Sequence, residues 1–178
     1  MVNEIIDNLD DLDLKFETYL SSLEFIEAGH FNMSNYEVNI DWSKIKCPGI
    51  YMISIHTDNS DVQVWIKNFK LLWEIEEYKW KFVPNTKKKR INMHLGTMDY
   101  LQLYLGKSQS IFHRVRQHIE AAIDKNTFAL KLKMRENIQH VEYKLQYIPL
   151  PPSKHYEYIC SRAEFYLRNK FNPIIGKQ

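Results

Sequence analysis

Cysteine is scarce in this 178-residue chain: Cys47 and Cys160 are the only two. Two thiols build neither a disulfide framework nor a four-thiolate zinc site, and they read most simply as reduced thiols of a cytoplasmic protein. No apolar run approaches the roughly 20 residues that a membrane-spanning helix needs, so no membrane partner is expected. The N-terminus is acidic, unlike the basic start of a secretory signal. The sequence has no internal repeat and no low-complexity segment. What remains is an ordinary globular composition, 44% hydrophobic and 26% charged, long enough for one core.

Net charge is also small, +2, but it is unevenly spread. Residues 1–30 hold eight acids against Lys15 alone, a balance of −7, so residues 31–178 carry +9. A basic body suits a polyanionic partner. On charge alone the plainer reading, a solvated surface with an acidic helix at one end, outweighs it.

Periodicity predicts an amphipathic helix over 8–28, with Leu9, Leu12, Phe16, Leu20 and Leu23 on one side and Gly29 as its stop. Gly49 to Ile55 is strand-like. Residues 62–82, rich in aromatic and β-branched side chains, read as strands or a hairpin. Tyr100 to Gly106 is a second strand. Helices are expected over 109–123 and 127–136, a strand from His140 to Leu150, and a last helix over 155–170. This order gives a small α+β domain over 47–178 preceded by a helical extension at 1–46.

Several polar residues recur at telling intervals. Gly49-Ile50-Tyr51 opens the first strand, and Tyr104-Leu105-Gly106 closes the second. Lys107 follows Tyr104 by three residues, Arg114 by ten, and His118 stands one helical turn beyond Arg114. Glu164 lies on the last helix, and Asn172-Pro173 ends it. Taken singly, each has a plain explanation: sheet tyrosines, a surface arginine, a structural histidine, a surface acid, a helix-end cap.

Taken together, in this order and spacing, they resemble the GIY-YIG nuclease family, over roughly residues 47–175. The resemblance implies a small central antiparallel or mixed β-sheet flanked by helices. It implies a catalytic set of Tyr51, Tyr104, Lys107, Arg114, His118 and Glu164, with Glu164 as metal ligand. The cofactor implied is Mg²⁺, with Mn²⁺ as a substitute, and the partner is double-stranded DNA. One departure is large: the two tyrosines are 53 residues apart, so about 56–100 is expected as an insertion between two paired strands.

The chemistry is coherent. Phosphodiester hydrolysis needs an activated water, stabilisation of a pentacovalent dianion and help for the leaving oxygen. A phenol can take the proton if nearby cations lower its pKa from about 10, and Lys107 and Arg114 are the expected source of that field. A guanidinium pairs bidentately with phosphate oxygens. A single glutamate completed by waters and phosphate oxygens suits Mg²⁺. Lys87, Lys88, Lys89 and Arg90 form the sharpest basic run and are expected as a phosphate clamp. Arg116, Lys125, Lys131, Lys133, Arg135 and Asn172 are expected to extend the DNA-binding surface. Among family members, a stand-alone domain with an N-terminal helix and an insertion is most similar to type II restriction endonucleases, which act as symmetric dimers on palindromes. The rivals are a phage or mobile-element nuclease of loose specificity and a binding module that has lost catalysis.

Overall fold

The computed structural model describes residues 2–176, with the side chains of all but Asn3, Glu4, Ile5 and Asp7. The chain runs α1 (Val2–Ser21), β1 (Ile26–Phe31), α2 (Tyr36–Asn39), β2 (Gly49–His56), α3 (Val62–Trp73), α4 (Lys88–Ile91), β3 (Tyr100–Ser108), α5 (Ile111–Glu120), β4 (Tyr143–Pro149) and α6 (Tyr156–Phe171). Four strands form one antiparallel sheet in the order β1-β4-β2-β3. The protein is therefore α+β, with helices on both faces of a small sheet.

β2 is central, and its run of Ile50, Tyr51, Met52, Ile53 and Ile55 is buried on both sides. Ile53, Ile55, Leu101, Leu103 and Tyr104 face a core closed by α3 and α5. Ile50, Met52, Leu105 and Ile148 face a smaller one closed by Leu20 of α1 and by Cys160, Ala163 and Leu167 of α6. Gly49 opens β2 where an added Cβ would lie 2.1 Å from the Ile148 carbonyl oxygen. A register shift between Ile53 and Ser54 leaves one extra residue in β3. That bulge changes the alternation, so Leu103 and Tyr104 enter the same core although they are neighbours in sequence.

The strands that carry Tyr51 and Tyr104 do pair, and residues 57–99 form the excursion between them. Its first half is a helix, not the expected strands. Asp61 caps α3 by accepting from the N–H groups of Gln63 and Val64, and Val62, Ile66, Phe69 and Trp73 bury one helical face. β-Branched and aromatic composition pointed to a sheet there; the 3.6-residue period prevailed.

Two other expectations change. The N-terminal helix ends at Ser21, and Ile26–Phe31, partly read as its last turns, is a strand of the sheet with Gly29 inside it. The helical extension expected at 1–46 thus includes a sheet strand: Phe31 is buried and stacks on Tyr143 of β4 with centroids 5.6 Å apart. The helix expected over 127–136 is a folded loop with two single 3₁₀ turns, Leu132–Met134 and Glu136–Ile138. Lys131 breaks it with left-handed backbone, φ 59°. Among the described residues no helix is long and apolar enough to cross a membrane.

Phe31→Ala is expected to cost about 3–5 kcal/mol, the usual range for a buried phenylalanine. Chemical denaturation would measure it. A loss below 1 kcal/mol would make the segment before residue 46 a dispensable appendage.

Candidate active site

Tyr51 and Tyr104 meet because of what lies opposite Tyr51. Its cross-strand partner is Gly106, so Tyr104, two residues earlier on β3, is its diagonal neighbour on the same face. A Cβ at Gly106 would sit 2.6 Å from the Tyr51 hydroxyl and 2.9 Å from a Tyr104 ring carbon. The missing side chain is filled by the two rings, whose centroids are 6.1 Å apart.

α5 runs over this face. Ile111, Val115 and Ile119 anchor it in the core, which turns Arg114 and His118 towards the tyrosines. His118 is fully buried, with its Nε2 2.8 Å from the Tyr51 hydroxyl and its ring 4.6 Å from that of Tyr104. Its Nδ1 accepts the backbone N–H of Leu130 at 3.0 Å. That bond fixes the tautomer: the proton of the neutral ring sits on Nε2, which therefore donates to Tyr51. Burial, aided by the charge of Arg114, holds the His118 pKa well below its ordinary value.

Arg114 donates to the Gln117 side chain at 2.8 Å and to the Phe128 carbonyl. From there its charge acts on Tyr51, Tyr104 and His118. The cation-lowered phenol expected from the sequence does not result. Burial dominates and raises the pKa of both tyrosines, with Arg114 opposing it. Lys107 is engaged elsewhere. It pairs with Ile50 on β2 and faces α6, donating to Glu157 at 2.8 Å and Ser161 at 2.7 Å.

Glu164 stands on α6, which covers the opposite face of the sheet from α5. β3 is an edge strand, so groups from both faces can meet around it, and Tyr104 feels both Arg114 and Glu164. Glu164 is ion-paired through one oxygen to Arg168, one turn on. Its other oxygen has no hydrogen-bond partner among the described residues.

The residues expected on a DNA surface divide. Lys87–Arg90 line a cleft of about 750 Å³ together with Asn169 and Asn172. Lys133 is exposed, over the Tyr36 ring. Arg116 is held by Glu120 at 2.6 Å. Lys131 and Arg135 are buried, which corrects their expected place on the surface. The Lys131 ammonium binds the carbonyls of Ile123 and Lys125 and so sustains the left-handed turn. The Arg135 guanidinium lies 3.6 Å above Trp73 and donates to the Leu130 and Trp73 carbonyls. Burial lowers its pKa to about 10. Asn172 takes left-handed backbone, φ 48°, at the end of α6, as a helix cap does.

Sequence reasoning missed the groups that hold the site: Gln117, Arg168, the Phe128 carbonyl and the Leu130 amide. Gln117 and Arg168 lie three and four residues from their partners on a helix, a signal that was available. The backbone groups leave no trace in residue identity.

Two outcomes follow. Gly106→Ala is expected to destabilise the fold by roughly 1–3 kcal/mol through overpacking, with urea denaturation as the measure; an unchanged midpoint would mean the rings yield freely. His118 supplies a pH dependence. Its folded pKa is depressed, so below its ordinary 6.5 the unfolded chain takes up a proton that the fold refuses. Stability is therefore intact above that value and falls as pH drops below it, by about 1.4 kcal/mol per pH unit at most. Melting curves between pH 7.5 and 5.0 should steepen for the wild type relative to His118→Gln; parallel curves would show that His118 accepts its proton in the fold.

Comparison of the chain with protein-family models, with curated proteins and with solved structures finds no match.

Proposed function

We propose that this protein is a metal-dependent endonuclease of the GIY-YIG type that hydrolyses phosphodiester bonds in double-stranded DNA, in the manner of a type II restriction enzyme. The observation that carries the reading is convergence. Tyr51, Tyr104, Arg114 and His118 come from three elements to one buried cluster, with Glu164 near enough for Tyr104 to feel its charge. A nuclease motif spread over more than a hundred residues requires that meeting, whereas unrelated residues have no reason for it.

The donor set fits Mg²⁺. Among the described residues no group of three His, Cys, Asp or Glu side chains could cage a metal. One partly buried carboxylate with an unused oxygen is what a cation that keeps most of its water requires. When bound, Mg²⁺ would polarise a phosphate oxygen and neutralise charge on the leaving group.

The protein's own groups have distinct tasks. Tyr51 is the general base: the Nε2–H of His118 donates to its oxygen and Arg114 lies nearby, so a phenolate there has a donor and a cation. Burial opposes that phenolate, which makes the fraction of active base rise with pH. Tyr104, closer to Glu164, holds the water or the phosphate. Arg114 neutralises charge on the phosphate and would exchange the Phe128 carbonyl for phosphate oxygens. Lys107, tied to Glu157 and Ser161, fixes the start of α6 and has no direct part. Exposed Ile6, Leu9 and Leu12 on α1 are the surface for the symmetric partner that a palindromic site calls for.

Cleavage of unmethylated phage-sized DNA in Mg²⁺ and in EDTA is the test. Glu164→Ala should abolish cutting while leaving DNA binding in place. Arg114→Ala should slow it by about 10²–10³-fold. Tyr51→Phe should remove the rise in rate between pH 7 and 9. Discrete Mg²⁺-dependent bands would establish a specific endonuclease; a Glu164→Ala enzyme that cuts at the wild-type rate would end this reading.

A further inference from the structure

The cleft beside α6 has a lining of unusual charge. None of the nine residues around it is acidic. Lys87, Lys88, Lys89 and Arg90 form one wall, and Asn169 and Asn172 belong to the other. Arg90 makes no ion pair among the described residues; its hydrogen bond goes to the Pro173 carbonyl at 3.4 Å. It lies near enough to Arg168 and Glu164 to feel both. Two guanidiniums thus share the single carboxylate of Glu164, which is itself engaged by Arg168. A half-buried cation without its own anion is costly, and an incoming anion relieves that cost.

The basic wall is fixed in place. Lys87 donates its N–H to the Ile174 carbonyl at 2.8 Å, and Thr86 bridges to Ile175. Nε2 of His94 donates to the Asn172 carbonyl at 2.7 Å. The tail continues onto β3, where the N–H groups of Ile174 and Ile175 donate to Gln102 and Leu103 at 3.0 and 2.9 Å. The lysines are therefore carried at a set distance from the strand that bears Tyr104.

We infer that this cleft is a preformed seat for a backbone phosphate of the nucleic acid, away from the bond that is cut. The identity of the polyanion rests on the nuclease reading; the anion seat itself does not. Asn169 and Asn172 lie five and eight residues beyond Glu164, about 7.5 and 12 Å along the helix. A seat that near Glu164 would take a phosphate within a few nucleotides of the cut. The insertion then sets the register of the strand in the active site and reads no base.

The side chains of Lys88 and Lys89 are exposed and make no hydrogen bond among the described residues, so Lys88→Gln/Lys89→Gln tests the seat without removing a brace. Asn169→Asp, on the facing wall, tests it independently by adding a carboxylate. The probes are tripolyphosphate, by calorimetry, and duplex DNA in EDTA at several salt concentrations. Both variants should bind tripolyphosphate at least tenfold more weakly than the wild type. The double variant should lower the slope of log affinity against log salt by about 1–2. Wild-type binding of both probes in both variants, or no tripolyphosphate binding by the wild-type protein, would overturn the seat. Loss of tripolyphosphate binding with DNA affinity unchanged would overturn its assignment to nucleic acid. DNA binding in EDTA needs no cutting, so a wild-type protein that never cuts but weakens on these substitutions keeps the seat and loses only the nuclease reading.

Discussion

Opposite Tyr51 the sheet has no side chain, and two tyrosine rings occupy the room that Gly106 leaves. Much of the candidate site depends on that vacancy. Rings packed over a strand are cut off from water, so a polar neighbour must enter without charge and with its hydrogen bonds satisfied. His118 does so: its Nδ1 is taken by the Leu130 amide, and its Nε2–H is spent on Tyr51. The loop that supplies Leu130 is irregular and places that amide against the imidazole. Its left-handed turn at Lys131, with the ammonium tied to two carbonyls, is the local cost of reaching into the site.

The same packing sets the electrostatics. One arginine beside two buried phenols is not enough to overcome desolvation, so both remain protonated at neutral pH. Arg114 is meanwhile parked on a carbonyl and an amide side chain, partners it can leave for a stronger anion. On the other side of β3, Arg168 engages Glu164. Arg114 is thus held by neutral partners, whereas Arg168 is held by a carboxylate.

Legibility in the sequence followed the range of the interaction. Strands β2 and β3 and helices α5 and α6 were readable, because tripeptides and helical spacing are local, while the pairing across the insertion was expected only from the family resemblance. β1 was hidden, because a six-residue strand at a sheet edge carries a weak alternation and abuts an amphipathic helix. α3 was misread on composition although Val62, Ile66, Phe69 and Trp73 kept helical time. Within the site, Tyr51, Tyr104, Arg114 and His118, read from their spacing, do come together, with Glu164 close enough to act on Tyr104. Lys107 was displaced by a partner, Glu157, that spacing cannot show. Lys131 and Arg135 look like surface cations in any sequence, and only tertiary structure can bury them.

The long excursion between the two tyrosine strands fits the same account. His56 and Tyr100, the residues where it leaves and returns, are paired across β2 and β3. The sheet fixes its ends, so its length bears little on the pairing of Tyr51 with Gly106, and the entropy of a longer loop grows only logarithmically. What the excursion does need is attachment. It gets this from Gln63, which donates to the Ile91 and His94 carbonyls, and from the Lys87 and His94 contacts to the chain after α6. Those contacts lock its basic turn to the segment that also hydrogen-bonds the free edge of β3. Residues can therefore change at the far end of the insertion without disturbing the phenol, imidazole and guanidinium on the sheet.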